Sequence, residues 1–254
     1  MGRLLGNPHI SGISNRGWGE HTAVRMVAAM NANTITAERD DLFTYIHKGL
    51  RLALFDLTVQ AGRTDWANPA QVTGLGERWH GLLRLLREHG SHEDQHILRL
   101  LDPYDPVATE PTADQHRDLD DLLDDLAERF EKALAAPDAA AGLGLYRDLA
   151  RFVAAYLTHM HDEETRVMAR IWQCCTDEEI AGARQRFMAD TSPQVQALSI
   201  EYMLPALNRP TRQMLVARLG DAPAAVLASV LGIADRVLPP AEAAELKAAA
   251  AASG

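Results

Sequence analysis

The chain has 254 residues and a formal net charge of -10, with 25 Lys and Arg against 35 Asp and Glu. This length is enough for one large buried core, or for one domain with an appendage. There is no basic stripe to neutralise phosphates and no apolar run of about 18 residues that could span a bilayer. We therefore expect neither a nucleic-acid partner nor a membrane partner.

Helix-forming residues dominate every long segment, and aromatic residues make up only 6% of the chain. Alternating β-branched runs are absent, so the sequence predicts an all-α fold. The two cysteines, Cys174 and Cys175, are adjacent and give no disulfide framework. The N-terminal residues lack the apolar region of a secretory signal. The expected location is the cytoplasm.

Residues 1–36 are rich in Gly and Asn and have no sustained periodicity, which predicts a flexible N-terminal arm. The first helix is predicted from about Ala37, with Thr36 as its cap, to about Gln60. His47 lies at the edge of its apolar stripe. This helix is the first of four that we assign to one domain, residues 37–175.

The second helix is predicted to begin at Asn68-Pro69, a cap followed by Pro at the first helical position, and to end before Asp102-Pro103. Polar residues replace leucines in the later part of its apolar stripe. The stripe comprises Leu75, Trp79, Leu82, Leu86, His89, Glu93, His96 and Leu100.

The third helix is predicted to open with a capping box at Thr112-Ala-Asp-Gln115 and to end near Ala136. His116 faces inward on this helix. The fourth helix is predicted over 144–173, with His159 and Glu163 on its inward face. We expect the two helical hairpins to form an up-down-up-down four-helix bundle.

Residues 176–254 are predicted to form a C-terminal extension of short helices. Clear start and stop signals punctuate it, at Thr176-Asp-Glu-Glu179, Ser192-Pro193, Asn208-Arg-Pro210, Asp221-Ala-Pro223 and Pro239-Pro240. The apolar positions between these signals indicate that the extension packs onto the bundle, or against a protein partner or a second copy of the chain.

A histidine–glutamate pattern occurs twice within the four helices. Each half supplies one lone histidine and then a His-x-x-x-Glu followed by a second acid, at nearly equal separations. An i, i+4 pair projects from one helix face, and in the predicted bundle all these positions fall at one end of the core. The candidate ligands are His47, His89, Glu93, His116, His159 and Glu163.

Such a set predicts a metal site. A buried ionised carboxylate costs several kcal/mol unless it is paired or metal-bound, and no Lys or Arg lies on the inward stripes. Two carboxylates could bridge two cations, with two histidines on each; mixed N and O ligands suit iron, manganese or zinc. The alternative is that surface histidines fall near acids by chance, which two copies of the pattern disfavour. Weaker candidate ligands are His92, His96, Asp120 and Glu164.

These motifs resemble those of hemerythrin-like proteins of the HHE cation-binding type, over about residues 37–173. The resemblance implies a four-helix bundle with a non-haem di-iron centre that meets O2, peroxide or NO. Oxygen-carrying hemerythrins have His-x-x-x-His in the third helix, where this chain has Asp120, and an Asp in the fourth that Glu164 matches only approximately. These departures favour sensing, peroxide or iron handling, or oxidative chemistry over reversible oxygen storage.

Three hypotheses follow. In the first, a di-iron protein binds or senses O2 or a related small oxidant. In the second, the same centre belongs to an oxidase or peroxide-consuming enzyme that acts on a small molecule, with a pocket that reaches the metals. In the third, the chain is a helical interaction module without metal.

Overall fold

The structure is a computed structural model and describes residues 39–219 and 224–252. All its regular elements are helical, which confirms the predicted all-α class; the predicted N-terminal arm and the Asp221-Ala-Pro223 signal lie outside the described residues. The helices are α1 Thr44–Arg63, α2 Pro69–His92, α3 Glu110–Ala135, α4 Ala139–Asp162, α5 Met168–Cys174, α6 Asp177–Asp190, α7 Pro193–Ala206, α8 Arg209–Arg218, α9 Ala224–Val237 and α10 Pro240–Ala252. None of these described helices is both long and apolar enough to cross a membrane.

Two helices continue beyond these bounds in a different geometry. A π-helical segment, Glu93–Ile97, extends α2 and passes into a 3-10 turn, Leu98–Leu101. A second π-helical segment, Glu163–Val167, joins α4 to α5. Each therefore begins at one of the two predicted ligand glutamates.

The four long helices surround one core. α1 packs against α2 and α4, and α3 also packs against α2 and α4. Large side chains such as Leu54, Trp79 and Phe130 are fully enclosed there, and Trp79 stacks on Phe130 with ring centroids 4.0 Å apart. Each such side chain contributes about 1.5–3 kcal/mol on burial. The up-down-up-down order of the helices stays a prediction.

Helix α1 begins at Thr44, later than predicted; the predicted start near Ala37 and its cap Thr36 lie outside the described residues. The Asp41 carboxylate accepts the backbone N–H groups of Phe43 at 3.0 Å and Thr44 at 2.9 Å. An acidic side chain in this place satisfies amides that have no partner within the helix. The chain before it, from Arg39 to Asp41, is not helical.

The predicted capping box of the third helix is wrong. A 3-10 turn, Pro106–Thr109, leads into α3 at Glu110. Thr112 is buried, and its hydroxyl accepts a hydrogen bond from Arg166 at 2.9 Å, while the Gln115 amide donates to Asp162 at 2.7 Å. Both side chains serve contacts with the other long helices, which a local motif cannot reveal.

Helix α4 starts at Ala139, earlier than predicted. The Asp138 carboxylate accepts the backbone N–H groups of Ala140 and Ala141. Gly142 lies inside the helix, under the indole of Trp66, and a Cβ at this position would collide with the ring. The absence of a side chain at Gly142 therefore lets the Trp66 indole pack directly against the backbone of α4.

The C-terminal extension packs onto the bundle. Its predicted caps at Thr176, Ser192 and Asn208 are confirmed. Helix α7 lies against α1 and α2, and Gly49 of α1 approaches Met203 so closely that a Cβ would lie 3.0 Å from its side chain. Helices α8 to α10 and the end of α7 enclose a second apolar cluster.

Candidate metal centre

The six predicted ligands lie together in one buried polar layer. Their residues are between 0% and 6% exposed. The layer separates the main core from a smaller apolar cluster that contains Phe43, Ile97 and Val167. Apolar residues thus enclose the layer from both ends.

The first group of ligand atoms comes from α1 and α2. His89 Nε2 lies 3.0 Å from Glu93 Oε1, and His47 Nε2 lies 3.5 Å from the same oxygen. One atom from each of these three residues falls within 4.8 Å of the others. Two imidazole nitrogens and one carboxylate oxygen therefore face a common point.

The second group comes from α3 and α4. His159 Nε2 lies 3.2 Å from Glu163 Oε2, and His116 Nε2 lies 3.5 Å from Glu163 Oε1. The two imidazoles face each other with their Nε2 atoms 3.1 Å apart. Glu93 also belongs to this group, because its Oε2 lies 3.8 Å from His116 Nε2.

Both glutamates lie between the two groups. The two oxygens of Glu93 face different groups, as described above. Glu163 Oε2 likewise lies 3.5 Å from His47 Nε2 of the first group, although its closest histidine belongs to the second. Carboxylates so placed can contact two cations at once.

Most of these inward-facing atoms have no hydrogen-bond partner within the part of the chain that the structure describes. They are His47 Nε2, both ring nitrogens of His89, both oxygens of Glu93 and both oxygens of Glu163. Buried polar atoms are rarely left unpaired in native proteins, because each costs about 1–3 kcal/mol. The donor set consists of imidazole nitrogens and carboxylate oxygens, which suits a divalent transition metal.

The second acid of each repeat holds a lone histidine from the outer side. Glu164 Oε1 lies 3.1 Å from His47 Nδ1, and Arg51 grips the same carboxylate at 2.6 and 3.0 Å. Asp94 Oδ1 lies 2.7 Å from His116 Nδ1. Glu164 therefore supports His47 and does not replace Glu163 in the inner set. Such contacts orient an imidazole and leave its other nitrogen free for a metal.

Sequence reasoning missed two further outer contacts. Gln115 Oε1 lies 3.2 Å from His159 Nδ1, although the sequence assigned Gln115 to a capping box. Arg51 lies one turn after His47, a spacing that places both side chains on the same helix face. That spacing was the available signal for Arg51; nothing in the pattern indicated Gln115.

Burial disfavours the charged form of every ionisable side chain in the centre, and neighbouring charges shift the individual pKa values further. Burial and the nearby Glu93 carboxylate raise the pKa of Glu163 to about 7. Burial lowers the pKa of His159 to about 3. Burial also opposes the charge of His47, yet the hydrogen bond to Glu164 and the nearby Glu93 and Glu163 carboxylates outweigh it and raise the pKa to about 9. The two carboxylates are therefore both charged only with positive charge beside them, from protonated imidazoles or from cations.

The weaker candidates lie outside the two groups. His92 is buried, with Nδ1 3.3 Å from the Thr191 hydroxyl. His96, predicted on the inward stripe, instead pairs with Asp190 at 2.7 Å. The π-helical turn moves Ile97 into the core in its place. Asp120 is exposed, one turn from His116.

A cleft of about 430 Å³ opens between α2, α3 and α4 and reaches the second group. His116, His159 and Tyr156 form its inner end. The cleft lies on the bundle itself, and none of its lining residues belongs to the C-terminal helices. It gives a small molecule a route to the second group of ligand atoms.

Comparison with known proteins adds one finding. The model of the hemerythrin HHE cation-binding domain matches residues 38–171, slightly more than half of the chain. This range includes all six residues of the inner layer and both acids that support them. No curated protein and no solved structure matches the chain significantly.

Proposed function

We propose that this chain, which belongs to the hemerythrin HHE cation-binding family, holds two iron ions at the buried centre and binds O2, peroxide or NO there. The observation that carries the proposal is the pair of ligand groups that share Glu93 and leave most of their inward-facing atoms unpaired among the described residues. Manganese or zinc would also suit this donor set. A cytoplasmic location is part of the proposal, because the two adjacent cysteines give no disulfide framework.

Each residue of the layer would have a defined task. His47 and His89 would bind one iron, His116 and His159 the other, and Glu93 and Glu163 would lie between them. The acids on the outer nitrogens would keep the lone histidines in the tautomer whose Nε2 binds metal. Iron, when bound, would supply the electrons and the open coordination that a small oxidant requires.

Tyr156 would contribute from the inner end of the cleft. Its ring contacts His159 edge-on, with centroids 5.7 Å apart. Burial and the nearby carboxylates raise its pKa well above the usual value, so the hydroxyl stays protonated and can donate a hydrogen bond. Tyr156 lines the cleft beside His116 and His159, where an exogenous molecule would enter.

A second candidate function is an oxidase or peroxide-consuming enzyme built on the same centre. The cleft favours it, because the space is far larger than a diatomic molecule needs and lies within the range of substrate pockets, about 300–1,000 Å³. A metal-independent interaction module would leave the buried carboxylates without a cation, and the geometry favours it least. An interface through the C-terminal helices stays a prediction.

Metal analysis and optical spectroscopy test the leading proposal together. We expect about two irons per chain, as bundle-core carboxylate sites hold, and a spectrum of the reduced protein that gains ferric charge-transfer bands on exposure to air. Protein without iron, or with a spectrum indifferent to air, would contradict the proposal. Turnover assays with peroxide and with small organic substrates separate binding from catalysis.

A substitution tests the inner ligand set directly. Glu93→Ala removes the carboxylate that both groups share, so we expect most of the bound metal to be lost. His161→Ala is the control, because His161 lies between His159 and Glu163 in the sequence but its side chain is exposed. Metal content of the two purified variants is the measurement. Equal losses in both would refute the assignment of ligands.

A further inference from the structure

The cleft beside the second ligand group has the shape of a pocket for an organic molecule. Its lining is mixed: buried apolar side chains come from three helices, Leu86 on α2, Leu119 and Leu123 on α3 and Phe152 on α4, and polar residues lie at the mouth and at the inner end. Apolar walls with a few polar groups are typical of small-molecule sites. A diatomic ligand would fill only a small part of the volume of about 430 Å³.

The inner end of the cleft presents an unused hydrogen-bonding group. Tyr156 is only 5% exposed and lines the cleft. Within residues 39–219 and 224–252, no residue forms a hydrogen bond with its hydroxyl. A buried hydroxyl usually finds a partner, so a ligand in the cleft would supply one.

Negatively charged side chains outnumber positively charged ones at the mouth of the cleft. Three aspartates and one arginine line it. Arg87 pairs with Asp124 at 2.5 Å and Asp94 pairs with His116 at 2.7 Å. Asp120, by contrast, has no hydrogen bond or ion pair with any described residue. Negative charge at the entrance of an apolar cleft favours cationic ligands.

We propose that this cleft binds a small organic cation, with its apolar body between the leucines and Phe152 and its ammonium group beside Asp120. The inner end of the ligand would then lie near Tyr156 and the second ligand group. The inference names a substrate class for the second candidate function, the oxidase or peroxide-consuming enzyme. It rests on that proposed function only in assuming a metal at the inner end of the cleft. Binding itself requires the cleft alone.

Calorimetric titration with three probes of equal length tests the charge preference. The probes are hexylammonium, hexanoate and 1-hexanol, each added to metal-free and to metal-loaded protein. We expect hexylammonium to bind both forms more tightly than the other two probes. Asp120→Asn should weaken hexylammonium binding about fivefold, as for a partly exposed charge pair, and leave 1-hexanol unchanged. Equal affinities for the three probes would overturn the proposal.

A glycine in the cleft offers a steric test with a matched control. Gly90 lines the cleft, and a Cβ there meets nothing within 4 Å, so Gly90→Leu should fill the cleft without disturbing the core. Gly74→Leu is the control on the same helix, since a Cβ there also meets nothing within 4 Å and the gain in helix propensity is equal. Gly90→Leu should abolish hexylammonium binding, and Gly74→Leu should retain it.

The outcomes separate this inference from the proposed function. Iron-loaded protein without a preference for hexylammonium would refute the cleft inference and leave the metal centre standing. Preferential hexylammonium binding by protein that takes up no iron would refute the metal centre and leave the cleft inference standing. Hexylammonium binding that survives Gly90→Leu would place the ligand elsewhere and overturn the inference.

Discussion

Each repeat of the chain ends in two consecutive acids, and the structure gives the two acids different contacts. The first, Glu93 or Glu163, faces the inner layer. The second contacts a lone histidine of another helix: Asp94, in the π-helical segment after α2, meets His116, and Glu164, in the π-helical segment after α4, meets His47. The two halves of the bundle therefore support each other's histidines through the same motif position.

Substitution of each outer acid should weaken metal binding at a different group of ligands. Glu164→Gln should weaken binding at the group that contains His47, and Asp94→Asn at the group that contains His116. Removing such a contact typically costs about 10-fold to 100-fold in metal affinity. Stepwise titration with Zn²⁺ against a chromophoric chelator measures both binding steps.

The control for this pair is another acid that contacts a histidine away from the layer. Glu131 contacts His80 at 2.7 Å on the surface, and Glu131→Gln should leave both binding steps unchanged. If Glu164→Gln and Asp94→Asn weaken the same single step, the division of the ligands into two groups is wrong.

Residue spacing predicted the convergence of the inner layer but little of its surroundings. The i, i+4 rule places His89 with Glu93 and His159 with Glu163, and all six predicted side chains do lie together. Their binding of metal stays a prediction. The contact of Gln115 with His159 depends on how α3 sits beside α4, which a single sequence does not specify.

At the scale of elements, the α-helical periodicity of the sequence failed to predict side-chain positions in the π-helical segments. A regular α-helix through α2 would place His96 and Leu100 on the stripe that contains Glu93. The wider π-helical turn, with i→i+5 hydrogen bonds, instead buries Ile97 and directs His96 to Asp190. π-helical turns are rare and often lie at functional sites. No residue type in Glu93–Ile97 marks such a turn, so the sequence predicted an unbroken helix.

The start of α4 yields a prediction about packing. Gly142 lies directly under Trp66, so Gly142→Ala must displace the indole or part α4 from its neighbours. Overpacking of this kind costs about 1–3 kcal/mol in the free energy of unfolding. Urea denaturation of the metal-loaded protein measures the change.

A second glycine of the same helix serves as the control. A Cβ at Gly144 meets nothing within 4 Å, so Gly144→Ala should stabilise the protein by about 0.5–1 kcal/mol through helix propensity. The two alanine variants should thus differ in sign. A Gly142→Ala variant as stable as the Gly144→Ala variant would show that Trp66 does not pack as described.

At the scale of the whole molecule, the polar layer is the weak point of an otherwise apolar interior. The main core lies on one side of it and the cluster around Phe43, Ile97 and Val167 on the other. Helix α6 adds to the enclosure, because Phe187 packs edge-on against His89 with ring centroids 5.9 Å apart. The C-terminal extension thus shields the first ligand group, while the cleft leaves the second accessible.

Because of this enclosure, metal removal should destabilise the whole fold. Buried carboxylates without a cation carry a desolvation penalty of several kcal/mol each, and a ligand that binds only the folded state at 100 times its Kd stabilises it by about 2.7 kcal/mol. At roughly 2–4 °C per kcal/mol for a chain of this size, EDTA treatment should lower the Tm by roughly 5–10 °C. Scanning calorimetry before and after EDTA, with iron content determined on the same samples, is the measurement.

A double variant, Glu93→Gln with Glu163→Gln, isolates the contribution of the centre to that shift. It lacks both inner carboxylates, so it should bind little metal and its Tm should not respond to EDTA. Restoring iron to the stripped wild-type protein should restore its Tm, because the ligand atoms lie on helices held by the apolar clusters on both sides. A wild-type Tm that stays constant while iron is lost would mean that the buried carboxylates are neutralised without metal, by protonation or by the imidazoles beside them.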